Sequence, residues 1–120
     1  MKILIVDDEP LVRRSLQKAF QVSGHTVVTA EEGHAGLLAW ENENPDVVFL
    51  DVLMPGLTGP QVIERVSPEL KSRTKVIVMS AFAGEFNETL RENKNFDLYL
   101  AKPFDDIVQI VKMTEDLLKA

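Results

Sequence analysis

Ile3-Leu4-Ile5-Val6 runs directly into Asp7-Asp8, and Val47-Val48-Phe49-Leu50 runs directly into Asp51. Apolar runs this short, bounded by turn signals, read as buried strands. Both end in charge. When parallel strands lie in one open α/β sheet, their last residues reach a common edge, and ligands bind along it. The two runs therefore bring three carboxylates into one pocket. Two unit charges about 4 Å apart repel by roughly 1 kcal/mol in water and about 4 kcal/mol at an effective dielectric near 20. Such a cluster costs stability unless a cation or a raised pKa relieves it. A hard divalent ion is the simplest relief, and Mg²⁺ is satisfied by one or two carboxylates together with water and phosphate oxygens.

Outward from these two runs the chain alternates apolar segments with amphipathic ones. Strand one is expected at about 2–7, and Pro10 suits the first turn of the helix that follows. Val12, Leu16, Ala19 and Phe20 make its buried stripe, and Gly24 its stop. Strand two is Thr26 to Ala30, and helix two spans about 33–43 with Leu37, Leu38 and Trp40. Pro45-Asp46 precedes strand three at 47–51, and Pro55, Gly56, Gly59 and Pro60 form a loop after it. A short third helix is expected at about 60–67, stopped near Pro68, then strand four from Lys75 to Ser80. Residues 85–94 read as a fourth helix, Leu98 to Ala101 as strand five, and about 105–119 as a fifth helix. The order βαβαβαβαβα implies a parallel sheet with right-handed crossovers and helices on both faces. One domain is expected to take up residues 1–120.

Composition narrows the function classes. Hydrophobic residues make up 45% of 120, enough for a packed core. A net charge of −6 disfavours direct nucleic-acid binding, which needs a basic footprint. No apolar run approaches the ~18 residues of a membrane span, and the first 30 residues do not read as a signal peptide. The absence of cysteine removes disulfides and thiolate zinc sites. A cytoplasmic protein is the expectation from these features. His25 and His34 read as surface or turn residues without a metal role, and Trp40 and the methionines as core.

Four strand ends carry polar chemistry to one edge: Asp7 and Asp8, Asp51, Ser80, and Lys102 before Pro103. A metal-bound carboxylate, a hydroxyl and an ammonium converging on one point suit a phosphoryl group. Asp51 would be the nucleophile, since carboxylates form aspartyl phosphates and an Asp at its usual pKa is ionised at neutral pH. Mg²⁺ and Lys102 would neutralise the transferring oxygens, the main part of phosphoryl-transfer catalysis. Ser80 would donate a hydrogen bond to the attached group.

This pattern resembles the receiver domain of two-component response regulators, across essentially the whole chain. The residues that carry the likeness are Asp7-Asp8, then Asp51-Val52-Leu53-Met54-Pro55 with Gly59, then Ser80-Ala81, then Tyr99-Leu100-Ala101-Lys102-Pro103-Phe104. The resemblance implies a flavodoxin-like (βα)5 fold with strand order 2-1-3-4-5, which the chemotaxis regulator CheY exemplifies. It implies that Asp51 accepts a phosphoryl group from a sensor histidine kinase or a histidine phosphotransfer protein. By the same likeness Asp8 is a direct Mg²⁺ ligand, Asp7 a ligand through water and the Leu53 carbonyl a backbone ligand. Ser80 and Tyr99 become the switch pair and Lys102 the phosphate-contacting lysine. The Lys102-Pro103 bond matches one that is usually cis, which would help aim the lysine. The domain would be no enzyme toward other substrates. Its output would leave through helix four, strand five and helix five to a downstream partner, as a monomer or as a dimer formed on phosphorylation.

Two segments depart from the common receiver pattern. Asn95-Phe96-Asp97-Leu98 stands where many relatives have Gly-Ala-Asp-Asp, and Glu85-Phe86-Asn87-Glu88-Thr89-Leu90-Arg91-Glu92 is acidic and poor in small residues. Both lie on the output side and leave the carboxylate chemistry untouched. Two other classes fit less well. A haloacid-dehalogenase-like phosphatase needs its nucleophile on strand one with a second carboxylate two residues on. A flavodoxin-like nucleotide binder needs a phosphate loop where Asp7-Asp8-Glu9-Pro10 repels anions.

Overall fold

Each apolar run becomes a strand because it is too short and too uniformly apolar to offer a helix a polar face. In the computed structural model, which describes residues 1–81 and 95–119, the strands are β1 (Lys2–Val6), β2 (Thr26–Ala30), β3 (Val47–Asp51), β4 (Lys75–Ser80) and β5 (Leu98–Ala101). The helices are α1 (Pro10–Val22), α2 (Gly33–Glu43), α3 (Gly59–Arg65), α4 (Pro68–Arg73) and α5 (Ile107–Lys119). All strand pairs are parallel and the sheet order is β2-β1-β3-β4-β5, the doubly wound arrangement expected from the sequence. The helix expected at 85–94 lies outside the described residues.

Side chains alternate across the sheet with a period of two, so each central strand feeds two cores. Leu4, Val6, Val48, Leu50, Val76 and Val78 pack on one face with Trp40 of α2 and Val62 and Ile63 of α3. Ile3, Ile5, Val47, Phe49, Ile77 and Met79 pack on the other with Leu16 and Phe20 of α1 and Ile110 and Val111 of α5. The register sets Ile5 beside Phe49 and Val6 beside Leu50. Asp7 and Asp51 continue the odd-numbered face, the side of α1 and α5.

Several boundaries differ from expectation, each for a local reason. β1 ends at Val6, one residue early, because the Asp7 side chain accepts from the Glu9 amide at 2.9 Å and begins the turn. Pro68 was expected to end the third helix. Instead α3 ends at Arg65, and Pro68 opens α4 as its first residue behind Ser67, whose hydroxyl accepts from the Leu70 amide. The last helix starts at Ile107 rather than 105, since the Asp106 carboxylate accepts from the Gln109 amide at 3.1 Å and caps it. His25 is more than a turn residue. It is half-buried, with Nδ1 3.2 Å from the Met1 ammonium and Nε2 2.8 Å from Glu115 of α5. Trp40 is fully buried as expected, and its indole N–H also donates to the Thr74 hydroxyl at 3.0 Å.

Candidate functional site

The C-terminal ends of β1, β3, β4 and β5 meet at one edge of the sheet. Asp7 is fully buried there: its amide donates to the Ala30 carbonyl at 3.2 Å, which extends the β1–β2 pairing one residue past the strand. Arg13 of α1 donates to the Asp7 carbonyl at 2.6 Å and fixes the exit of the strand to the helix. Asp51 is the last residue of β3 and is 4% exposed. The Val52 amide donates to the Met79 carbonyl at 3.0 Å, so the sheet grips the chain on both sides of Asp51.

The loop after Asp51 returns close over that residue. The Gly59 amide donates to the Val52 carbonyl at 2.9 Å, and a Cβ on Gly59 would sit 2.6 Å from the Asp51 carbonyl oxygen. Only glycine allows this approach. Leu53, two residues past Asp51, is in this loop and is 42% exposed. Thr58 and Gln61 close the loop with a reciprocal capping box at the start of α3.

Lys102 follows β5. Its amide donates to the Ser80 carbonyl at 2.9 Å, and its peptide bond to Pro103 is cis. The ammonium reaches into the carboxylates, with Nζ 2.7 Å from Glu9, 2.9 Å from Asp7 and 3.4 Å from Asp51. The lysine side chain is itself 6% exposed. Burial works against its charge, but the hydrogen bonds it donates to Glu9 and Asp7 and the negative charge around it hold the ammonium well above the usual lysine range.

Asp51 behaves differently from the sequence expectation of an ordinary ionised carboxylate. Burial first, then the charge of Asp7, push it up from 3.8 to about 7, while Lys102 pulls the other way. The expectation used a solvated reference value, and only the packed structure reveals the lost water. Asp7, Asp8, Glu9 and Asp51 each offer a carboxylate oxygen, and these oxygens lie within 4.8 Å of one another. The donors are all hard oxygens, which fits Mg²⁺. A lysine ammonium drawn in among them indicates that the pocket is built to surround positive charge.

Thus Asp7, Asp8, Asp51 and Lys102 come together as anticipated. Ser80 ends β4 at the same edge and is buried. By alternation it continues the face of Val76 and Val78, which also holds Tyr99, and Val78 and Tyr99 are register partners. The Tyr99 hydroxyl is shielded from solvent with no hydrogen-bond partner among the described residues. Glu9 was not anticipated as a site residue. Its place directly after Asp7-Asp8 was the available signal, but its partner lies 93 residues away.

The sequence profile of the response regulator receiver domain matches residues 3–115. This chain belongs to that family. Among curated relatives, the receiver domain is 32% identical over 111 residues to the transcriptional regulatory protein CseB of Streptomyces coelicolor, covering 92% of this chain and 47% of CseB. It therefore spans about half the length of that relative. It is 34% identical to protein PilH of Pseudomonas aeruginosa, covering 88% of each chain. The solved structure of the response regulator TrrA from Thermotoga maritima, in complex with Mg²⁺ and a beryllium fluoride, superposes with a TM-score of 0.81. That pair shares 32% identity and covers 98% of this chain and 97% of TrrA. As a receiver domain the chain is a phosphoacceptor module of two-component signalling. Among the described residues no helix is long and apolar enough to cross a membrane.

Proposed function

We propose that this receiver domain, one domain over residues 1–120, is a Mg²⁺-dependent switch whose phosphoacceptor is Asp51. The donor is a phosphohistidine of a sensor histidine kinase or of a histidine phosphotransfer protein. An Asp51 carboxylate oxygen forms the bond to phosphorus while the phosphorus–nitrogen bond of the donor breaks, and its electron pair stays on the imidazole. Bound Mg²⁺ beside Asp51 would favour its anionic form, so Asp51 would enter this step as the anion and no general base is needed. The observation that carries the reading is a buried carboxylate at a strand end, ringed by further carboxylates, with a buried ammonium 3.4 Å away.

Asp8 is assigned as the direct Mg²⁺ ligand, Asp7 as a ligand through water and Leu53 as a backbone ligand. Mg²⁺, when bound, neutralises charge on the pocket and on the phosphoryl oxygens. TrrA, solved in complex with Mg²⁺ and a beryllium fluoride, supports Mg²⁺ as the ion. Lys102 pairs with a phosphoryl oxygen, and the Ser80 hydroxyl donates to another. The aspartyl phosphate adds about −1.5 to −2 charge and three acceptors. The arrangement of Ser80 and Lys102 that binds it better gains population by that difference. Tyr99 shares a face with Ser80 and carries the change to segment 85–94, β5 and α5, where a downstream partner reads it. Hydrolysis of the aspartyl phosphate resets the domain, which acts on no other substrate.

The test is phosphorylation by acetyl phosphate with and without Mg²⁺, followed by intact mass. Wild type gains one phosphoryl group only with Mg²⁺, and Asp51→Asn gains none. Equal incorporation in both proteins would end the assignment of Asp51.

A further inference from the structure

Lysine has three N–H donors and no acceptor. In the resting pocket the two shortest contacts of Lys102 go to Glu9 and Asp7, and the contact to Asp51 is the longest. These three anions differ in how they are held. Asp7 and Asp51 are buried at the ends of β1 and β3. The Glu9 side chain is 56% exposed and belongs to no strand. Glu9 occupies the N-cap position of α1, yet its side chain makes no capping hydrogen bond. Capping would be the ordinary use of a polar side chain there. Neither packing nor capping accounts for this carboxylate, and its contact to Lys102 does.

We propose that Glu9 is a positioning residue that parks the Lys102 ammonium in the unphosphorylated pocket and releases it when a phosphoryl group arrives. The kinetic part rests on the reading of Asp51 as phosphoacceptor. An incoming phosphoryl group attracts Lys102 and repels Glu9. Glu9 can turn into water at little cost because it is already half in water, while Asp7 keeps its hold on the lysine throughout. The lysine then exchanges the single charge of Glu9 for the greater charge of the phosphoryl group. Glu9 thereby sets how firmly Lys102 is held before the reaction, and so how fast phosphorylation proceeds.

Two measurements test this. In the first, protein labelled with ¹⁵N-lysine is studied without Mg²⁺ and without phosphoryl donor, and hydrogen exchange of the Lys102 ammonium is followed by NMR. Exchange is expected to be several-fold faster in Glu9→Ala, and also in Glu9→Asp, which keeps the charge but withdraws it by one methylene. In the second, the rate of phosphorylation by acetyl phosphate at saturating Mg²⁺ is compared across variants. It is expected to rise about threefold to fivefold in Glu9→Gln, the upper part of the range that a partly exposed ion pair supports, and to rise by less than about twofold when the background carries Lys102→Met. Unchanged Lys102 exchange in both Glu9 variants overturns the proposal, as does an equal rate increase with and without Lys102. Glu9→Asp matching wild type in both measurements, while Glu9→Ala speeds exchange and Glu9→Gln speeds phosphorylation, reduces Glu9 to a background charge and also overturns it. A wild type that takes no phosphoryl group defeats the assignment of Asp51, and the exchange measurement still decides the role of Glu9.

Discussion

Asp51 and Lys102 show how burial and neighbouring charge together move side chains away from their solvated behaviour. The Asp51 carboxyl titrates near 3.8 when solvated and near 7 in the folded, metal-free pocket. A group whose folded pKa is raised binds more protons folded than unfolded between those two values. Its stabilising contribution is complete below about pH 3.8 and is lost as pH rises toward about 7. In EDTA, urea unfolding of wild type is therefore expected to give a stability that declines between these pH values, with a visibly flatter profile for Asp51→Asn. Parallel profiles for the two proteins would contradict the buried, crowded state of this carboxylate. The acid cluster itself was legible in the sequence, because strand ends and their charges are local features. The raised pKa was not, since it depends on solvent removed by distant segments. Glu9 escaped notice for a related reason: its meaning comes from Lys102, which arrives from the far end of the sheet.

At the scale of elements, the position of Asp51 depends on how the next helix returns to the sheet. Gly59 starts α3 against the backbone of Asp51 and Val52. An added methyl at 2.6 Å from a carbonyl oxygen in a central strand has no flexible neighbour to displace. Gly59→Ala is expected to destabilise the fold by about 1–3 kcal/mol and to slow phosphorylation, because the loop carrying Leu53 must shift. Denaturant midpoints and acetyl-phosphate kinetics check both halves, and an unaltered midpoint would argue that α3 tolerates displacement. Strand positions were readable because uniform apolar runs and flanking Pro and Gly have few alternatives. The α4 helix was missed although Ser67, Pro68 and Glu69 carry its start signal. Proline both ends one helix and opens another, and a stretch of six residues offers too little periodicity to choose. Asp97, in a run that departs from the receiver pattern, ties the start of β5 to β4 by accepting from the Val76 amide at 2.8 Å.

For the whole molecule, the net charge of −6 and the concentration of four acids at one edge make the metal-free fold carry internal repulsion. A ligand that binds only the folded state stabilises it by mass action, about 2.7 kcal/mol at a hundredfold excess over its dissociation constant. Saturating Mg²⁺ is accordingly expected to raise the melting temperature by several degrees. Asp8→Asn should lose most of that gain, and sodium at matched ionic strength should give little of it. Equal gains from Mg²⁺ and sodium would mean that charge screening, not coordination, is at work. The single tryptophan bears on how such experiments are read. Trp40 is anchored to Thr74, whose hydroxyl also donates to the Pro45 carbonyl at 3.4 Å, and these residues precede β4 and β3 at the sheet edge opposite the carboxylates. Its emission is thus a native optical reporter of global melting, dark to events at the metal edge, so fluorescence titrations of Mg²⁺ call for a dye or an indole engineered near Asp8.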